Sequence, residues 1–231
     1  MTAPKKARTS GHPARRRKPI AAGAGLPRWV KDEINRTTPT GRREAAIQRL
    51  EQGAEAFASE RYGSAFEALF KGKDLAPRST TIRELLGLSA YHTGKWEVAL
   101  RELRAYRRMA GDTLHMAVEM DCLRALGRPA DVKKTWATFL ELGGSPTADA
   151  EARVVYGSFL LDEGEDRAAW DVTHPSRITK DPNHWELRRW YVAARAAARL
   201  RDKATARQLR DAIRSAEPDF VGLDELDSQV V

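Results

Sequence analysis

The chain has 231 residues, 42% hydrophobic and 31% charged, enough for one large or one elongated domain with an apolar core. Its single cysteine, Cys122, excludes an intrachain disulfide, and it has no run of about 18 apolar residues to cross a membrane. The formal net charge of +8 is unevenly placed: residues 1–31 hold nine of the 40 Lys and Arg and no acidic residue, which leaves 31 basic against 32 acidic residues in the body and no general case there for nucleic acid.

Residues 1–27 are rich in Pro, Gly, Ser, Ala and basic side chains. They lack the large apolar groups that offset ordering entropy, so they read as a disordered basic tail. Within it, Arg15, Arg16, Arg17 and Lys18 form a compact cluster. Such a cluster either solubilises the chain or makes weak, salt-dependent contact with nucleic acid or another polyanion. No aromatic residue precedes Trp29, so base stacking is not indicated. The segment 19–26 is too short and too closely flanked by charge for a secretory leader, and the expected setting is cytoplasmic. Residues 28–41 read as a short N-terminal helix or cap and a linker. Trp29, Val30 and Ile34 keep helical spacing before Thr37–Gly41 breaks it.

From Arg42 to Ala216 the pattern is helical almost throughout. Ala45, Leu50, Ala54 and Phe57 lead through Ser59-Glu60-Arg61 into Tyr62, Ala65, Phe66 and Leu69. So short a link makes the two helices antiparallel neighbours. The next unit has Leu86, Gly87 and Tyr91, a turn at residues 92–95, then Trp96, Ala99, Leu103 and Tyr106. A third turns at Gly127-Arg128-Pro129, a fourth near Gly164, and a fifth runs from Leu187 and Trp190 to Leu209 and Ile213. Residues 171–183, with two prolines, read as a non-helical loop. Residues 217–231 form an acidic, hydrophobic tail able to make a short amphipathic helix through Phe220, Val221, Leu223 and Leu226.

These units recur. Gly53 and Gly87 are 34 apart, as are Ala65 and Ala99; Gly94 and Gly127 are 33 apart; Gly127 and Gly164 are 37 apart, and another 37 reaches Arg201 in place of glycine. Such a period marks a helical solenoid. The residues resemble the tetratricopeptide repeat family, most clearly over Thr80–Asp112 with Leu86-Gly87, Tyr91, Gly94, Trp96, Ala99 and Leu103. Tyr91 lies one place beyond the family's usual first aromatic. The resemblance covers residues 42–216 and implies an all-α, right-handed α-solenoid of about five antiparallel helix pairs. Trp29–Asn35 and Lys203–Ser215 are the expected end caps.

The resemblance further implies that the first helix of each pair lines a concave side. That would place Thr81, Glu84, Leu88, Tyr91 and His92 there, then Ala117, Asp121, Arg124 and Ala125. Glu151, Ser158, Leu161 and Asp162 would follow, and then Arg188, Tyr191, Arg195 and Arg199. The candidate partner-binding residues are Glu84, Tyr91, His92, Asp121, Arg124, Asp162, Arg188, Tyr191 and Arg195. No Asn stands at these positions, so the carboxylate clamp of the family's best-known grooves is not expected; Arg188, Arg195 and Arg199 can instead steer an acidic segment.

No chemistry of an enzyme emerges. No two of the five histidines have the spacing of a metalloprotease helix, and no phosphate-binding glycine loop is present. Cys122 lies two helical turns beyond His115, too far for a nucleophile and its base, and reads as a buried small residue. We expect no cofactor and no metal. The expectation is a protein-interaction scaffold that binds an unidentified protein. The alternatives are a nucleic-acid-associated factor using the basic arm, and a self-associating module whose segment Phe220 to Val231 enters a neighbour's groove or folds back on its own.

Overall fold

The computed structural model describes residues 25–230, and among these the regular structure is helical, with no strand. Helix α1 (Arg28–Thr37) precedes five helix pairs. They are α2 (Thr40–Ala58) with α3 (Tyr62–Leu75), α4 (Thr80–His92) with α5 (Trp96–Ala110), α6 (Met116–Ala125) with α7 (Pro129–Leu142), α8 (Pro146–Asp162) with α9 (Asp166–Thr173), and α10 (His184–Arg199) with α11 (Lys203–Ala216). Helix α12 (Leu223–Val230) follows. Every helix packs on its neighbours in sequence, and the first helices of the last three pairs also meet, α6 on α8 and α8 on α10. The result is a stacked all-α solenoid of helix hairpins.

The reversal inside each pair is one structure used five times. Residues 60, 94, 127, 164 and 201 have φ of 56°, 70°, 65°, 76° and 64°. The next amide then donates to the carbonyl five residues back: Arg61 to Ala56, Lys95 to Ala90, Arg128 to Leu123, Glu165 to Leu160 and Asp202 to Ala197. This left-handed helix ending satisfies carbonyls that would otherwise lack partners. Gly94, Gly127 and Gly164 adopt it without a Cβ penalty, whereas Glu60 and Arg201 adopt it at a cost of about 1 kcal/mol. Four residues after each of these donors stand Ala65, Ala99, Val132, Ala169 and Ala206, all fully buried.

Small residues on the first helices let the partners approach. A Cβ on Gly87 would lie 2.7 Å from Leu103 Cγ, one on Gly53 2.4 Å from Leu69 Cγ, and one on Gly157 2.3 Å from Thr173 Cγ2. Close packing at these crossings fixes how each hairpin closes.

Consecutive pairs are tied by buried carboxylates. Glu102 on α5 meets Lys73 of α3 (3.4 Å), Arg83 of α4 and Arg101 (3.0 Å). Glu119 on α6 meets Arg107 (2.9 Å) and Arg104 (3.7 Å) of α5. Both carboxylates are essentially inaccessible, so each would be costly to leave unpaired.

The ends differ from the sequence reading. Helix α1 buries Val30 and Ile34 in the first-pair core and inserts Glu33 at the start of α4, where its carboxylate accepts from the Thr80 amide and from the hydroxyls of Thr80 (3.0 Å) and Thr81 (2.6 Å). The break expected over Thr37–Gly41 narrows to Thr38 and Pro39, because Pro39, whose ring holds φ at about −65° and which adopts −55°, leads straight into α2 at Thr40. The loop expected over residues 171–183 starts only after Thr173, whose buried Oγ1 donates to Ala169 O (2.7 Å) within α9. Lys203–Ser215 is not the terminal cap. It belongs to the second helix of the fifth pair, and its apolar residues Leu209 and Ile213 are covered in turn by Phe220, Leu223 and Leu226.

Candidate partner-binding groove

A cavity of about 530 Å³ opens along the first helices of four successive pairs. Helix α4 supplies Leu88, Tyr91 and His92; α6 and the residues just before it supply Leu114, His115, Val118, Asp121 and Arg124; α8 supplies Glu151, Val154, Val155 and Ser158; α10 supplies Trp185 and Arg188. No second helix contributes to its lining. The spacing explains this. Asp121 and Arg124 lie three residues apart on α6, as do Trp185 and Arg188 on α10, so each couple shares a helix face.

Polar groups knit the wall of the cavity. The Tyr91 hydroxyl donates to Asp121 Oδ2 at 2.6 Å, linking α4 to α6. Arg124 then bridges Asp121 (3.0 Å) and Asp162 of α8 (3.1 Å). His115 Nε2 lies 2.9 Å from Glu84 Oε1, a second link between α4 and the start of α6. Burial, reinforced by the Asp121 carboxylate, raises the Tyr91 phenol well above its ordinary pKa, so it stays a donor at neutral pH. The His92 ring stacks on Tyr62 with centroids 3.9 Å apart, and burial lowers its pKa despite the opposing charge of Glu60.

Two charged groups in the cavity remain without a close partner among the described residues. Glu151 forms neither a hydrogen bond nor an ion pair, and its carboxyl pKa is raised by burial, against the opposing pull of His115 and Arg188. Arg188 forms no hydrogen bond or ion pair with a described residue, and its guanidinium carbon lies 5.2 Å from the face of Trp185. An acceptor and a donor of opposite charge thus share the cavity with the apolar side chains of Leu88, Leu114, Val118 and Val155.

The candidate residues divide into three groups. Tyr91, His92, Asp121, Arg124 and Arg188 line the cavity together. Glu84 and Asp162 do not line it but pair with His115 and Arg124, which do. Tyr191 and Arg195 lie against α12 instead: Tyr191 donates to Glu225 Oε2 at 2.7 Å, and Arg195 Nε lies 3.1 Å from Glu225 Oε1, as an ion pair without hydrogen-bond alignment. Thr81, Ala117 and Leu161, also expected on this side, are buried in the packing. Arg15, Arg16, Arg17 and Lys18 lie outside the described residues.

Leu114, His115 and Trp185 are cavity residues that sequence reasoning missed. Leu114 and His115 precede their helix and so escape any periodic pattern. Trp185 carried a readable signal, since it sits one turn before Arg188 on the same face.

No family model matches the chain, and no curated protein matches it either. Among the described residues no cluster of His, Cys, Asp and Glu is arranged to hold a metal, and no helix is long and apolar enough to cross a membrane.

Proposed function

We propose that this chain is a protein-interaction scaffold of the tetratricopeptide-repeat kind, a right-handed solenoid with its repeats over residues 42–216, and that it holds an extended partner segment in the α4–α6–α8–α10 cavity. The observation that carries this reading is the cavity itself. It runs along the first helices of four pairs, and in it Glu151 and Arg188 feel each other's charge without closing into an ion pair. A partly desolvated charge without a mate is a cost in the free protein that an incoming opposite charge removes. The partner segment therefore presents a basic or hydrogen-bond-donating group to Glu151, an acidic group to Arg188 and an apolar side chain to the leucines and valines of the lining. Tyr91, Asp121 and Arg124 hold the wall in place. The role is binding and not catalysis. Cytoplasmic residence is part of the same reading, in keeping with a lone reduced thiol at Cys122.

The test is capture of partners from the native cell by the intact chain, compared with Glu151→Arg and Arg188→Glu, after circular dichroism has shown both variants folded. Loss of the same proteins in both variants supports the reading. Capture that is identical for all three chains would overturn it.

A further inference from the structure

A second cavity, of about 350 Å³, lies away from the first, between α5 and the turn that joins α6 to α7. Three of its residues, Arg101, Arg104 and Arg108, fall on one face of α5 by helical spacing, and Arg128 enters from the turn. Leu100 and Leu126 supply its apolar lining, and Glu97 is its only carboxylate. The body of the chain is close to neutral in total, yet four guanidinium groups meet here.

Their charge is not cancelled from behind. Glu102 already carries Lys73 and Arg83 when Arg101 joins them, and Glu119 carries Arg107 at 2.9 Å while Arg104 stands farther off at 3.7 Å. Five cations thus share two carboxylates. Arg108 has no hydrogen bond or ion pair with any described residue, and Arg128 is matched by Asp131. All the cations lining the cavity are arginines and none is lysine. That preference suits a flat, forked donor set for a multivalent oxyanion more than a point charge.

We propose that this cavity binds a phosphomonoester dianion carried on a partner protein, with Arg108 and Arg128 as its principal donors and Arg101 and Arg104 supporting them. The dimensions favour a single phosphorylated side chain over a nucleic acid. Glu97 and Asp131 bound the cluster, so a phosphate backbone running through it would meet like charge, and no aromatic side chain lines it to stack a base. The leucines are placed to receive the apolar part of the residue that bears the phosphate. The site is separate from the α4–α6–α8–α10 cavity and stands or falls without it.

The experiment is titration of the intact, isotope-labelled chain, followed by amide NMR. The probes are a blocked phosphoserine tripeptide, inorganic phosphate, acetate and a short oligothymidylate. The expected result is saturable shifts at residues 101, 104, 108 and 128 with the phosphoserine tripeptide, weaker binding of inorganic phosphate and none of acetate. Affinity should fall as pH drops below about 6, where the ester loses its second charge. Arg108→Gln with Arg128→Gln should weaken the tripeptide at least about tenfold, and Arg108→Lys, which keeps the charge and loses the fork, by an intermediate factor. Both variants change exposed side chains only, and an unchanged melting temperature shows that they remain folded. The proposal is overturned if the tripeptide gives no saturable shifts, if the double variant binds it as well as the parent does, or if oligothymidylate binds more tightly with the same arginine dependence.

Discussion

Gly87 and Leu103 face each other across the second helix pair so closely that a methyl group on the glycine would sit 2.7 Å from Leu103 Cγ and 3.3 Å from its backbone nitrogen. Cγ is close to the main chain, so little of the clash is relieved by rotation. Gly87→Ala should therefore destabilise the chain by about 1–3 kcal/mol, although alanine favours helix by about 1 kcal/mol. Gly63, in α3 with open space around it, is the control: Gly63→Ala should stabilise by about 0.5–1 kcal/mol. Urea unfolding of both variants measures the contrast.

The repeated turn gives a second contrast. Gly127, at φ 65°, has open space around it, so Gly127→Ala meets backbone strain alone and should cost about 1 kcal/mol. Arg201→Gly relieves the same strain at φ 64° and should leave stability unchanged or raise it by up to about 1 kcal/mol. If both substitutions destabilise equally, the left-handed geometry is not shared.

Cys122 is fully buried, and burial together with the charges of Asp121 and Glu119 raises its thiol to about 12. The thiolate is the reactive form, so the native chain should resist an aromatic disulfide reagent at pH 8. Reaction should proceed at the rate of unfolding or local opening and accelerate in urea. Prompt stoichiometric reaction without denaturant would contradict this packing.

The contact between Tyr191 and Glu225 makes the last helix sensitive to pH at both extremes. The hydrogen bond from Tyr191 lowers the Glu225 pKa, and that from Arg214 lowers the Asp227 pKa. A depressed folded-state pKa contributes stability above the unfolded value and loses it as pH falls through the folded one. The docking of α12 should therefore weaken as pH drops below about 4, near the unfolded carboxylate value. Burial, with the Glu225 hydrogen bond next, raises the Tyr191 phenol to about 12. The stability this raised value reflects is intact below about pH 10 and is lost as pH climbs from there through the folded value. Hydrogen exchange of the α12 amides across pH should show both edges.

Removing residues 217–231 should destabilise the chain, because Phe220, Leu223 and Leu226 cover Trp190, Leu209 and Ile213. Leu226→Ala alone should cost about 2–4 kcal/mol, read by thermal or urea unfolding. An unchanged midpoint would mean that α12 does not pack on α10 and α11. These apolar groups are engaged within their own chain, which leaves them poorly available to a neighbour's groove.

The sequence revealed the fold most clearly where backbone constraints are strict. Glycine at 94, 127 and 164 marked the left-handed turn, and spacing alone carried the same turn to Arg201. Ala65, Ala99, Ala169 and Ala206 marked the crossings because little else fits there. The link Ser59-Glu60-Arg61 was legible by its shortness, but nothing about a glutamate advertises the positive φ that Glu60 takes there. The resemblance to tetratricopeptide repeats implied one surface for Tyr91, Asp121, Arg124 and Arg188, but it could not show that α12 would take Tyr191 and Arg195. The buried carboxylates were the least legible. Glu33, Glu102 and Glu119 look like ordinary solvated charges until their distant partners are in place. For the same reason, an even total of charges concealed the arginine cluster on α5.

Each hairpin leans mainly on the hairpins beside it, so thermal agitation will act on this rod as it does on a rope, loosening the strands at the tips first. One tip is pinned by the carboxylate of Glu33, the other by a single eight-residue helix. The long hollow begins one hairpin inward from the first tip, on α4, and is walled by residues up to Arg188 toward the second. A chain that has begun to fray at its α1 end still keeps its hollow whole, whereas fraying that advances from α12 into α10 takes the Trp185 and Arg188 wall with it.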